Sequence, residues 1–135
     1  MDVIKKFGNN LVKALFLLCL LTISNCTNET TYNNKGVALG KLGKPQEAIR
    51  AFNKAIEINP QDAEAYYNKG VSLGELGKPQ EAIQVYNKAI EINPELAEAY
   101  YNKGVALGEL GKSQEEIQAY NKATEINPKY AKALN

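Results

Sequence analysis

The chain repeats itself with a period of 34 residues, and that period decides most of what it can fold into. Copy one runs over residues 29–62, copy two over 63–96 and copy three over 97–130, with copies two and three identical at 27 of 34 positions. A fixed period of this length means one supersecondary unit stacked on copies of itself. A single unit cannot bury its apolar face alone, so neighbours must share a core.

Each unit reads as two helices. In copy two, Asp62 is placed to cap a first helix over Ala63 to Leu76. Tyr66, Gly70 and Leu73 recur at helical spacing on one face of it. Gly77 stands where a helix ends in the left-handed conformation, and Pro79 suits the first turn of the next, where a missing N–H costs nothing. Ala82, Tyr86, Ala89 and Ile90 form the second helix's apolar stripe, and Asn93-Pro94 stops it. The fold class predicted is all-α, a helical-repeat solenoid of three helix-turn-helix hairpins.

These residues resemble the tetratricopeptide repeat (TPR) family. The aromatic of repeat position 4 is met by Tyr32, Tyr66 and Tyr100, and the small residue of position 8 by Gly36, Gly70 and Gly104. Ala48 and Ala82 match position 20, and Phe52, Tyr86 and Tyr120 match position 24. Ala55, Ala89 and Ala123 match position 27, and Pro60, Pro94 and Pro128 match position 32. The resemblance implies a right-handed superhelical stack whose first helices line a concave side. Gly40, Gly74 and Gly108 inside those helices depart from good helix formers, at about 1 kcal/mol each relative to Ala. They permit a bend or a close contact, or loosen the helix end.

Residues 1–25 differ from the rest. Lys5, Lys6 and Lys13 give a basic start, and Ala14 to Ile23 is a ten-residue run without charge. That fits the core of a signal peptide and is half of the ~20 residues a spanning helix needs. The stretch from Leu21 to Cys26 resembles a bacterial lipobox, with Asn25 where the small residue before the Cys usually stands. The resemblance implies cleavage before Cys26 and lipidation of that residue. Cleavage nearby without lipid, or an uncleaved anchor, are the alternatives. Residues 26–28 are expected to form a short tether and 131–135 a truncated tail.

The residues exclude several functions. There is no His in the chain, which removes the commonest general base and metal ligand. No nucleophile–base pair, metal cluster or phosphate loop is visible, so no enzyme activity, cofactor or metal is expected. The whole chain carries 16 basic and 15 acidic residues. Residues 1–25 hold three Lys and one Asp, so residues 26–135 have 13 basic and 14 acidic residues, with no pull toward nucleic acid. Cys19 and Cys26 are the only cysteines, and both precede the repeats.

The remaining function is binding. The candidate groove residues lie on the first helices, off the core stripe: Asn34, then Tyr67, Asn68, Val71 and Glu75, then Tyr101, Asn102, Val105 and Glu109. Stacking sets them side by side as ladders. An Asn amide can pair with a peptide backbone, and Tyr offers contact area at low entropy cost. Family members that grip acidic C-terminal tails use Lys and Asn at positions 5 and 9, and Lys and Arg at positions 2 and 6 of the third unit. Tyr67, Val71, Glu98 and Asn102 stand there, an acidic and tyrosine-rich set. The expected partner is a protein or an extended, basic peptide. The rival expectation is an assembly factor that self-associates through the end of copy three. The location expected is the cell envelope, lipid-anchored to a membrane or otherwise periplasmic or secreted.

Copy three reads as adapted to its terminal place. Ser113 replaces Pro, Glu116 replaces Ala, and Thr124 replaces Ile. Ser113 with Glu116 has the spacing of a capping box, in which each side chain satisfies a backbone N–H of the other's neighbourhood. Neutral drift in a duplicated copy is the alternative.

Overall fold

The computed structural model describes residues 2–134, with side chains placed for 5–131. Six α-helices follow one another: α1 (Asp2–Lys41), α2 (Pro45–Ile58), α3 (Ala63–Glu75), α4 (Pro79–Ile92), α5 (Ala97–Glu109) and α6 (Ser113–Ile126). A 3-10 segment, Pro128–Leu134, closes the described chain. Among the described residues there is no strand. The helices pack as three hairpins, α1 on α2, α3 on α4 and α5 on α6, and each hairpin stacks on the next.

The signals at the helix ends work as read. Asp62 Oδ1 accepts from the N–H groups of Glu64 and Ala65 at 3.0 and 3.1 Å, satisfying two donors that α3 leaves open. Pro45 and Pro79 sit in the first turns of α2 and α4. Gly43, Gly77 and Gly111 have φ of +70°, +68° and +71°, a conformation that a Cβ makes costly. Asn59, Asn93 and Asn127 end the second helices, and each side-chain oxygen accepts an N–H two residues on.

The core runs between the hairpins. Ala48, Phe52 and Ala55 of α2 and Ala82, Tyr86 and Ala89 of α4 are at most 3 % exposed. The rings of Phe52 and Tyr86 lie so close over Gly36 and Gly70 that a Cβ there would overlap them. This close approach is why position 8 is small. In α6 only Ala119 and Ala123 are buried, so the core there is thinner than on α2 and α4.

Two expectations about copy three fail. Lys112, not Ser113, is the N-cap of α6, and no side chain caps it. Ser113 takes the first helical position, which Pro45 and Pro79 hold in the other copies. Glu116 does not reach back. Its carboxylate lies against Gly108 of α5, within 3.0 Å of where a Cβ would stand. Thr124, where the other copies have Ile, buries its hydroxyl without a hydrogen-bond partner among the described residues.

The start of the chain also differs. The tether expected at 26–28 is helical, part of a single helix of 40 residues that runs through the apolar segment into copy one. At about 1.5 Å per residue it is some 60 Å long. No Pro interrupts it, and the hydroxyls of Thr22, Thr27, Thr30 and Thr31 donate to carbonyls three or four residues back at 2.6–2.9 Å, so they do not compete with the helix. Phe7, Leu11, Leu15, Phe16, Leu18 and Ile23 are all exposed on it. The helix is long and apolar enough to cross a membrane, with a mean hydropathy of 1.6 in its most apolar window; a signal sequence meets the same description.

Candidate functional site

The first helices α1, α3 and α5 lie side by side, and polar contacts join them one repeat apart. Asn68 Nδ2 of α3 donates to Asn33 Oδ1 of α1 at 3.3 Å. Asn102 Nδ2 of α5 donates to the Tyr67 hydroxyl of α3 at 3.1 Å. The ladder therefore steps from repeat position 6 of one copy to position 5 of the copy before. The amides of Asn68 and Asn102 hold neighbouring repeats together with one donor hydrogen each, and each keeps an acceptor oxygen and a second hydrogen.

Tyr67 is more deeply placed than its spacing implied. It packs at the edge of the cluster formed by Ile49, Leu73, Ala82 and Tyr86, with its ring 6.1 Å from that of Tyr86. Burial, and then the Glu98 carboxylate, push its hydroxyl above the ordinary tyrosine range. Tyr101 lies between Tyr120, at 5.3 Å, and Tyr130, at 5.0 Å. Tyr66 and Tyr100, expected in the core, are half-buried, as Tyr67 and Tyr101 are. Tyr100 lines an outer cleft with Lys103, Leu107 and Ala119. Tyr67 and Tyr101 each meet a ring of their own hairpin's second helix, Tyr86 and Tyr120, and the Tyr67 hydroxyl reaches on to Asn102 of the next hairpin.

Between adjacent first helices lie two equivalent cavities. The first, of about 220 Å3, is bounded by Val37, Gly40 and Lys41 of α1 and by Asn68, Val71 and Glu75 of α3, with Phe52 among its lining residues. The second, of about 180 Å3, is bounded by Val71 and Gly74 of α3 and by Asn102, Val105 and Glu109 of α5, with Tyr86 in Phe52's place. Six of the nine groove candidates thus meet here: Asn68, Val71, Glu75, Asn102, Val105 and Glu109. Val71 lines both cavities. Gly40 and Gly74 were missed as groove residues, and their signal was their recurrence without a packing reason. A Cβ on either would meet nothing within 4 Å, whereas on Gly108 it would meet Glu116.

The other candidates lie elsewhere. Asn34 is exposed beside Cys26, Thr27, Thr30 and Thr31 on α1 and is not brought to the cavities; Asn33, nearly buried, takes its place in the ladder. Tyr67 and Tyr101 support the wall rather than line it. Cys26 is exposed on α1 as a free thiol.

The charges sort by position. Seven Lys–Glu pairs engage Glu47, Glu57, Glu81, Glu91, Glu98, Glu115 and Glu125. Among the described residues neither Glu75 nor Glu109, at the cavity rims, has a cationic partner within ion-pair distance. Glu98 is engaged instead by the closing segment, with Lys129 Nζ at 3.6 Å. Its own backbone N–H, ahead of the Tyr130 hydroxyl and Lys129, holds the Glu98 carboxyl below the usual carboxylate range. Among the described residues no cluster of three or more His, Cys, Asp or Glu is placed to hold a metal.

The sequence profile described as tetratricopeptide repeat matches residues 33–97 and again 72–131. No curated protein is significantly similar in sequence. Among solved structures, MamA is 34 % identical with a TM-score of 0.72 over 78 % of this chain and 62 % of its own. YrrB, described as a TPR protein with an unusual peptide-binding site, is 30 % identical with a TM-score of 0.73, over 79 % of this chain and 55 % of its own. The first TPR domain of Spaghetti (RPAP3), bound to the HSP90 peptide SRMEEVD, is 25 % identical with a TM-score of 0.74, over 80 % of this chain and 94 % of its own.

Proposed function

Because this chain belongs to the tetratricopeptide repeat family, whose fold serves as a scaffold for protein interactions, we propose that it is an adaptor holding an extended segment of a partner protein along α1, α3 and α5. The observation that carries this reading is the pair of in-register cavities between those helices, walled by Val37, Val71 and Val105. Equivalent cavities one repeat apart suit a chain-like ligand, which offers side chains at regular intervals. The relatives described with bound or binding peptides support a peptide ligand in kind. The acidic tail held by Spaghetti is a poor guide to the partner, since Glu75 and Glu109 would repel it.

The N-terminal segment supplies location. Its exposed apolar surface and basic start support export, with residues 1–25 as signal and Cys26 as the lipid-bearing residue of a membrane-anchored protein. Cys26 lies on the helix that enters copy one, so a lipid there sets the repeats close to the bilayer. Intact mass of the native protein decides this; a mature chain that retains Asn25, or begins beyond Cys26, overturns it.

Self-association through copy three has less support. Pro128–Leu134 packs on α6, and Tyr130 stacks on Tyr101, on the side where a further hairpin would stack. A second copy would first have to displace that segment. The adaptor reading is tested by capturing partners with the full chain in detergent and repeating the capture with Val105→Asp. Val105 is 39 % exposed, so the change spares the core. Unchanged capture would overturn the groove.

A further inference from the structure

The two cavities differ in charge, and the difference points to a ligand register. Resting on the groove reading above, we infer that the partner segment is a polyproline-II stretch that places an apolar side chain in the first cavity and a Lys or Arg, three residues away, in the second.

The spacing comes first. Packed helices lie about 8–10 Å apart, and the Asn68–Asn33 contact joins α3 to α1 directly. An extended β-strand turns alternate side chains to opposite faces, so residues i and i+3 cannot both face the groove. Residues i and i+2 share a face but span only about 6.6 Å, and i and i+4 about 13 Å. Polyproline II has three residues per turn and rises about 3.1 Å per residue, so i and i+3 share a face about 9.3 Å apart. Of the extended conformations, this one falls within the roughly 8–10 Å separation of packed helices. It also leaves its backbone carbonyls unpaired, free to accept from the second amide hydrogens of Asn68 and Asn102.

The charges then assign each cavity. Lys41 and Glu75 both rim the first, so a charged side chain gains from one and loses to the other, while Val37, Val71 and Phe52 suit an apolar one. The second is rimmed by Glu109 with no cation among its lining residues. A long basic side chain can lay its stem on Val71, Val105 and Tyr86 and bring its charge to Glu109, as Lys and Arg do on apolar surfaces. Gly74 keeps that path open, because a side chain there would enter the cavity.

The test uses the full chain in detergent and labelled peptides in a proline-rich host, read by fluorescence anisotropy. Leu-Pro-Pro-Lys is expected to bind at least tenfold more tightly than Leu-Pro-Pro-Glu and than Leu-Pro-Lys-Pro, which shifts the basic residue by one. Glu109→Gln should erase the Lys preference, and Gly74→Leu should abolish binding of Leu-Pro-Pro-Lys while helicity is retained. Equal affinity for the Lys and Glu peptides, or a Lys preference that survives Glu109→Gln, overturns the register. The parent reading is judged separately with captured partner segments of any sequence. If they bind the native chain and are lost on filling both cavities with Gly40→Leu and Gly74→Leu, the groove stands and only the register falls. If the filled variant binds them as well as the native chain, both fall.

Discussion

The Asn102 amide donates to the Tyr67 hydroxyl across the seam between α5 and α3, at 3.1 Å, and repeats one unit further along the stack the bond from Asn68 to Asn33. A hydrogen bond between residues 35 apart in sequence belongs to the stack, not to either hairpin. Tyr67→Phe keeps the ring on Tyr86 and removes the acceptor, so it should cost about 1 kcal/mol. A double-mutant cycle with Asn102→Ala should show coupling of about 0.5–1.5 kcal/mol in urea unfolding. Tyr67→Ala also loses ring packing and should cost roughly 2–3 kcal/mol, somewhat less than a fully buried aromatic. Loss of less than half that would place Tyr67 outside the core.

Ser113 makes no cap, so Ser113→Ala should change stability by less than about 0.5 kcal/mol. Ser113→Pro restores the residue of copies one and two at a position whose geometry accepts it, and should stabilise by about 0.4–1 kcal/mol. Thermal unfolding of the two variants separates the capped from the uncapped arrangement, since a true cap would make both harmful.

The buried Thr124 hydroxyl has no partner among the described residues, whereas Ile56 and Ile90 stand at its equivalents. Thr124→Ile should therefore stabilise by about 1–2 kcal/mol, by removing an orphaned polar group and adding apolar contact. A decrease in the urea midpoint would mean that water satisfies the hydroxyl.

Glu98 carries a pH signature. Its folded carboxyl titrates below its ordinary value, so its contribution is fully present above the unfolded value, near 4.3, and is lost as pH falls through the lower folded one. Glu98→Gln should lower the melting temperature at pH 7, modestly because the group is partly exposed, and should have no effect once both states are protonated. A pH-independent effect would assign the loss to packing instead of charge.

Helix identity and helix ends were legible in the residues because their causes are local. Asp62 caps within three residues, Gly77 turns on its own φ, and Asn93-Pro94 stops a helix wherever it stands. The period likewise announced the stack, and helical spacing sets Val71, Glu75, Val105 and Glu109 on the side of the first helices where the cavities lie. Residues 26–28, expected as a tether because cleavage before Cys26 leaves them ahead of copy one, are helical, since nothing there breaks a helix.

The sequence by itself determined three helical hairpins and where their helices end, since 3.6-residue periodicity and terminal capping act within one turn. Only the tertiary structure decided that the Tyr67 hydroxyl receives the Asn102 amide, that Asn33 and not Asn34 receives the Asn68 amide, and that Glu116 lies against Gly108 rather than at its own helix start. Those choices depend on how far one hairpin is rotated and shifted on the next. Within a hairpin the approach is set by rings packed over Gly36 and Gly70, and between hairpins by bonds such as Asn68 to Asn33, contacts that cross from one helix to another and leave no mark on local spacing.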